Sequence, residues 1–152
     1  MQKATFLQRF AAYLIDAIIV AIVVGILDAL IIVAGSALLS KIEGDLATTM
    51  AVSVSPMLIA YLLGLALTLA YYGYFWATTG QTPGKRIMQI KVVKMDGDKL
   101  TWNDAIARYI GYLVSGLVCL VGFVWALWDK DVQAWHDKMA RTYVLKAQGS
   151  QP

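Results

Sequence analysis

Hydrophobic residues in this chain are gathered into long runs, with the polar residues pushed into the gaps between them. The first run, FLQRFAAYLIDAIIVAIVVGILDALIIVAG, extends from Phe6 to Gly35 and is apolar for longer than a soluble core helix requires. About 20 apolar residues cross a bilayer core, so this run predicts a spanning helix over about 6–35. A second run predicts a helix over about 52–79, and a third, centred on Tyr109–Trp128, a membrane segment over about 103–128. Between the second and third runs, the β-branched stretch 87–95 is followed by Asp96-Gly97-Asp98 as a turn and by 100–102 as a short return strand. Thr101 and Asn103 are the candidate caps for the helix that follows. Residues 141–146, RTYVLK, supply a third strand-like segment, which matters because an isolated hairpin is marginal.

The third run leaves two architectures open. Twenty residues suffice for a straight span, which would put the C-terminal tail across the membrane from the hairpin. Gly111, Gly116 and Gly122 instead permit a break and a return to the same side, tolerated where protein covers the exposed backbone. Lys130, Lys138, Arg141 and Lys146 in the tail favour the return. The pattern therefore predicts a mainly α membrane protein. It has two spanning helices, a third broken or re-entrant (or spanning) segment, and a small cytoplasmic β-hairpin or sheet. Residues 1–147 form a single domain, and 148–152 a tail.

Composition sharpens the class. The 152 residues are 59% hydrophobic and 15% charged, against about 25% charged in soluble domains, so the chain lacks the polar surface to cover itself. A net charge of +3 invites a nucleic-acid reading, but the basic residues lie between apolar runs as membrane flanks do, and nucleic-acid binding is set aside. The segment 80–108 holds Lys85, Arg86, Lys91, Lys94, Lys99 and Arg108 against Lys41 alone in the first loop. This asymmetry places the N-terminus and the 80–108 linker in the cytoplasm. Cys119 is the only cysteine and reads as a small buried hydrophobe; no metal-ligand spacing is present and no cofactor is implied. The first run is too long for a signal h-region and is interrupted by Asp16, so it reads as a retained helix.

Small residues at Ala17, Ala21, Gly25 and Ala29 and a shorter stripe at Ala60, Gly64 and Thr68 predict close packing of the first two helices. Tyr71, Tyr72, Tyr74, Phe75 and Trp76 read as an interfacial aromatic belt, and Thr82, Pro83, Gly84 and Lys85 as a turn motif. A phosphate-binding loop is rejected there, because Arg86 stands where Ser or Thr is needed.

The ionisable residues inside or beside apolar runs are the candidate site. Asp16 within the first helix costs at least about 2.5 kcal/mol to insert and needs a partner. Arg9 is two turns earlier, about 10 Å away along the axis, so the partner must come from another segment while Arg9 snorkels to the interface. Asp28 falls near the far interface and is assigned no role. Asp129, Asp131, His136 and Asp137 place acids and the only histidine beside the membrane, where a proton or cation site competes with ordinary capping.

An Arg opening the first membrane helix (Arg9), an Asp within it (Asp16), TPGKR with a strand and Asp-Gly turn (Thr82 to Gly97), Arg108, and WD…WHD…RTYV (Trp128 to Val144) occur in that order. Together they resemble the RDD family of small bacterial membrane proteins, named for one arginine and two aspartates, over nearly the whole chain. The resemblance implies a trio of Arg9, Asp16 and Asp137 with Asp129 as an accessory acid. Where the family commonly has Arg-Gly-Leu ahead of the His-Asp pair, this chain has Gln133-Ala134-Trp135. Some members are linked to sodium/proton exchange. The expected function is transport of cations, protons or a small solute through Asp16 and Asp137, in a homo-oligomer of the cell inner membrane. The alternative is a structural or partner-binding membrane module. An enzyme is not expected, since no HExxH and no Ser/His pair in a helical context is present.

Overall fold

The computed structural model describes residues 2–41, 44–118 and 121–147. Two helices, α1 (Phe6–Leu39) and α2 (Leu46–Thr78), are each long and apolar enough to cross a bilayer. The chain is a membrane protein. Helix α2 begins ahead of the expected 52 because Asp45 caps it, accepting from the Thr48 N–H at 2.9 Å. Contacts divide the chain into two units, residues 18–70 and residues 1–17 with 71–152.

Within 18–70 the two helices run antiparallel. A Cβ on Gly64 would lie 2.9 Å from Val24 Cγ1, and one on Gly35 would lie 2.6 Å from Pro56 Cγ. The expected pairing of small stripes is corrected. Ala60 and Gly64 are buried, but Ala21, Gly25 and Ala29 are exposed, with nothing within 4 Å of a Cβ on Gly25. The glycine on α2 accepts the branched side chain of Val24 as a knob, so the α1 face that packs is the one bearing Val24. Ile18, Ile22, Ile26 and Leu30 point outward, as they do where the solvent is lipid.

The other unit is a polar-cored cap. It contains α3 (Pro83–Ile87), β1 (Ile90–Lys94), α4 (Trp102–Leu117), α5 (Val121–Val124) with a 3-10 turn at Trp125–Leu127, α6 (Trp135–Met139) and β2 (Thr142–Lys146). The strands β1 and β2 pair antiparallel from Ile90↔Lys146 to Lys94↔Thr142, with Val92 and Val144 facing each other in the core. The N-terminal segment lines the free edge of β2: the Ala4 N–H donates to the Val144 carbonyl and the Lys146 N–H to the Gln2 carbonyl, both at 2.9 Å.

This pairing forms the expected small sheet from 87–95 and 141–146 but not the expected hairpin with 100–102. Residues 100–102 form no strand, because Thr101 caps α4 in a box with Asp104, whose carboxylate accepts the Thr101 N–H at 2.8 Å. Likewise Thr82 to Lys85 is not a free turn: Thr82 is the N-cap of α3 and Pro83 its first residue.

The register also decides the third run. Because β2 lies beside β1, the chain leaves the sheet into α4 and comes back on the same side, and a straight third span does not form. The segment Val121–Leu127 is bent from α4 by 114°. Gly111 allows α6 to approach α4, since a Cβ there would lie 2.6 Å from His136 Cα. Helix α4 turns Trp102, Ile106, Ile110 and Leu113 outward and buries Ala105, Arg108, Gly111 and Ser115. Apolar outside and polar inside is the arrangement expected of a helix bathed in lipid. Cys119 and the tail 148–152 lie outside the described residues.

Candidate functional site

Two carboxylates, both fully buried, organise the cap. Asp16 projects from α1 at the start of α3. Its Oδ1 accepts from the Gly84 N–H at 2.8 Å and the Tyr71 hydroxyl at 3.0 Å, its Oδ2 accepts from the Thr82 hydroxyl, and Lys85 Nζ lies 4.0 Å away. The acid therefore sits on the first turn of a short helix, where unpaired N–H groups favour negative charge. Gly84 is required by this approach, since a Cβ there would fall 2.9 Å from Asp16 Cγ.

Asp137 projects from α6 and links it to two other elements, α1 and α4. Its Oδ2 accepts from Arg9 Nη1 at 2.8 Å and from the Ala134 N–H at 3.1 Å, fastening α6 at its own first turn. Its Oδ1 stands 2.8 Å from Arg108 Nη1 as an ion pair outside in-line hydrogen-bond geometry. Arg108 also donates to the Thr142 hydroxyl at the start of β2, and Arg9 Nη2 reaches the Val144 carbonyl at 3.4 Å. Trp76 joins the two acid sites: Arg108 Cζ lies 5.1 Å and Lys85 Nζ 5.6 Å from its ring centroid.

The RDD family model matches residues 3–141. The chain belongs to the RDD family. It is similar to the uncharacterized protein YxaI of Bacillus subtilis strain 168, with 31% identity over 95% of this chain and 99% of that one. It is also 31% identical to the proline-rich antigen of Mycobacterium leprae, over 57% of this chain and 35% of that protein. A proline-rich antigen homolog of Mycobacterium tuberculosis H37Rv gives 32% over 52% of this chain and 33% of its own length. The chain thus spans about a third of those antigens. No solved structure matches.

The RDD trio is not one triad. Arg9 pairs with Asp137, as Arg108 does, whereas Asp16 is served by Tyr71, Thr82, Gly84 and Lys85. Arg9, expected to snorkel, turns inward because Asp137 supplies a partner there. Asp129 is placed outside this core: it holds Lys138 and accepts the N–H groups of Asp131 and Gln133, so it shapes a loop. The position occupied by Gln133 serves the sheet, its Nε2 donating to the Thr142 carbonyl at 2.8 Å. Tyr72 and Trp76, expected in an interfacial belt, are buried, and Tyr74 alone of that group keeps a largely exposed ring. Sequence reasoning missed Tyr71 and Trp76 as polar-site residues. Thr82 to Lys85 stand out in the sequence as a turn motif but not as donors to Asp16; the visible signal for that role was a threonine cap, a proline and a glycine directly after a membrane helix.

His136 is buried and stacked on Tyr112 at 4.1 Å between ring centroids. Burial pushes its pKa down, to about 3; Asp137 opposes the shift, while Arg108, Lys85 and Arg9 reinforce it. The imidazole is therefore neutral at physiological pH. Burial works against the charge of Asp137, but His136 once protonated at low pH, together with Arg108, Arg9 and the Ala134 N–H, outweighs it and holds the carboxyl below its ordinary range. Desolvation lowers Lys85 to about 8 against the pull of Asp16.

These shifts fix a pH dependence. The unfolded chain takes up a proton at His136 below about 6.5, which the fold refuses until about 3. The His136 contribution is complete above pH 6.5 and falls as pH drops below it, by up to about 1.4 kcal/mol per unit. The contribution of Asp137 goes only at lower pH, beneath the ordinary carboxylate range. Thermal unfolding of detergent-solubilised protein between pH 7 and 4.5 should show this slope, and His136→Gln should flatten it. An unchanged slope in the variant would place the effect elsewhere.

Proposed function

We propose that the chain is a membrane-embedded binding module in which the RDD residues lock a polar cap to the start of the first span. The observation that carries this reading is the state of the two acids: each is fully buried and already held by several donors. A cation exchanging at Asp137 would have to displace two guanidinium groups. Breaking one side of a buried pair costs about 3–5 kcal/mol, which suits a latch better than a turnover site. The cap would then present its sheet and loops to a partner. Only Lys41 of the 13 Lys and Arg residues lies between the two spans, which supports a cytoplasmic cap in a cell membrane.

A second reading, transport of a cation or proton through these carboxylates in a homo-oligomer, has one observation in its favour. Lys85, lowered to about 8 and 4.0 Å from Asp16, is poised to exchange a proton near neutrality. Asp16→Asn separates the two. As a latch, the purified variant unfolds more readily, and wild-type proteoliposomes show no cation-driven proton flux. A stable variant that abolishes a wild-type flux would establish transport and remove the latch reading.

A further inference from the structure

The cap holds a partly open cavity of about 140 Å³ whose walls are mainly apolar, Phe10 and Tyr13 among them, with Arg9, Lys85, Arg108 and His136 also contributing to its lining. Neither Asp16 nor Asp137 lines it. Three observations converge there. The buried charges do not balance: Arg9, Lys85 and Arg108 face two carboxylates, and His136 is neutral, so one positive charge is left over. An uncompensated buried charge is costly.

Donors are also left over. Nε of Arg9 and Nε of Arg108 are buried without hydrogen-bond partners, in side chains that both line the cavity. Asp137 Oδ1 is similarly without an in-line donor, but it faces Arg108 Nη1 at 2.8 Å and lies off the cavity wall. Finally, the apolar wall reaches the outer surface. Phe10 is 48% and Tyr13 38% exposed, on the opening turns of a helix that enters the bilayer. A ligand can therefore arrive from the membrane rather than from water.

We propose that this cavity binds the anionic head of a membrane amphiphile, a carboxylate or phosphate ester whose oxygens meet Arg9, Lys85 and Arg108 while its chain leaves past Phe10 and Tyr13. An oxyanion supplies the missing negative charge and accepts from guanidinium groups in charge-assisted hydrogen bonds. A free metal cation is the wrong sign for the site, and a small hydrophilic anion would leave the aromatic side unused. The inference stands whether or not the chain moves ions, because it concerns a surface that the two carboxylates do not share.

The test uses the full chain in a nonionic maltoside, with native mass spectrometry and thermal unfolding as readouts. Dodecyl phosphate and dodecanoate are the probes; inorganic phosphate, dodecyltrimethylammonium and added maltoside are the controls. One or both anionic amphiphiles should bind saturably at one per chain and raise the unfolding temperature, while inorganic phosphate, the cationic amphiphile and the maltoside do not. The anion that binds then distinguishes a lipid phosphate from a fatty carboxylate. Val124→Trp narrows the cavity without touching the ion pairs and should weaken binding about tenfold or more. A diazirine-bearing dodecyl phosphate or dodecanoate, which needs no variant, should label peptides containing Phe10 or Val124. Equal binding by the cationic amphiphile, an equal response to inorganic phosphate, no binding by either anion, or labelling confined to the outer faces of the spans would overturn the proposal.

Discussion

Asp137→Asn should be among the most damaging single substitutions in this protein, lowering its stability by about 3–5 kcal/mol. The carboxylate is fully buried and is the common partner of Arg9 from α1 and Arg108 from α4, so a neutral amide strands two guanidinium groups together. The same side chain also fastens the first turn of α6 through the Ala134 N–H. Asp129→Asn is the control. Its ion pair with Lys138 is solvent-facing, with the lysine side chain 44% exposed, and exposed pairs are worth at most about 1 kcal/mol. The comparison isolates burial, because both aspartates accept from a lysine or arginine and from backbone N–H groups. A double variant, Asp137→Asn with Arg108→Met, removes one stranded charge and should recover part of the loss. Denaturation of the purified variants in one detergent reads all three. If Asp137→Asn unfolds no more readily than Asp129→Asn, the arginines are not held as described.

The contrast between these two acids also marks what the chain displays on its surface pattern. Asp16 was legible as a buried acid in need of a partner because a charge within a run of Ile, Val and Ala has no local remedy, and two turns separate it from Arg9. The partner itself was not legible. Gly84 and Thr82 are 68 and 66 residues away, and their N–H and hydroxyl become donors only once α3 is seated on α1. The pairing of Arg9 with Asp137 spans 128 residues and is likewise a property of the assembled cap.

Local signals in the chain mislead where a distant segment competes. The Asp-Gly turn after β1 favoured 100–102 as its partner strand, but the capping box of Thr101 and Asp104 takes that stretch into α4, and β2 offers five paired residues instead. The aromatic cluster at the end of α2 looked like a belt because Tyr and Trp favour membrane interfaces. Burial of Trp76 follows from two cations needing a face to lie against. The choice between a span and a returning segment for the third run could not be made from its length. It was made by strand pairing, which fixes both ends of the run to one side.

Gly84→Ala should have an effect nearly as large as Asp137→Asn, through shape rather than charge. Gly84 sits in the first turn of α3 with its N–H 2.8 Å from Asp16 Oδ1. An added methyl would lie 2.9 Å from Asp16 Cγ and would also overlap the Ala12 backbone carbonyl on α1. The carbonyl belongs to a helix and cannot rotate aside, so α3 must lift. Overpacking costs about 1–3 kcal/mol, and losing a hydrogen bond to a buried carboxylate about 1.5–3 kcal/mol more. Together they predict a loss of about 2.5–6 kcal/mol. Gly116→Ala provides the opposite sign. It lies on the exposed face of α4 with nothing within 4 Å of its added carbon, so alanine gains about 0.5–1 kcal/mol of helix preference. Thermal unfolding of the two variants should therefore move in opposite directions. Were Gly84→Ala to match the wild type, α3 would not be seated against α1 and the account of Asp16 would fall, because no larger side chain fits beneath that carboxylate.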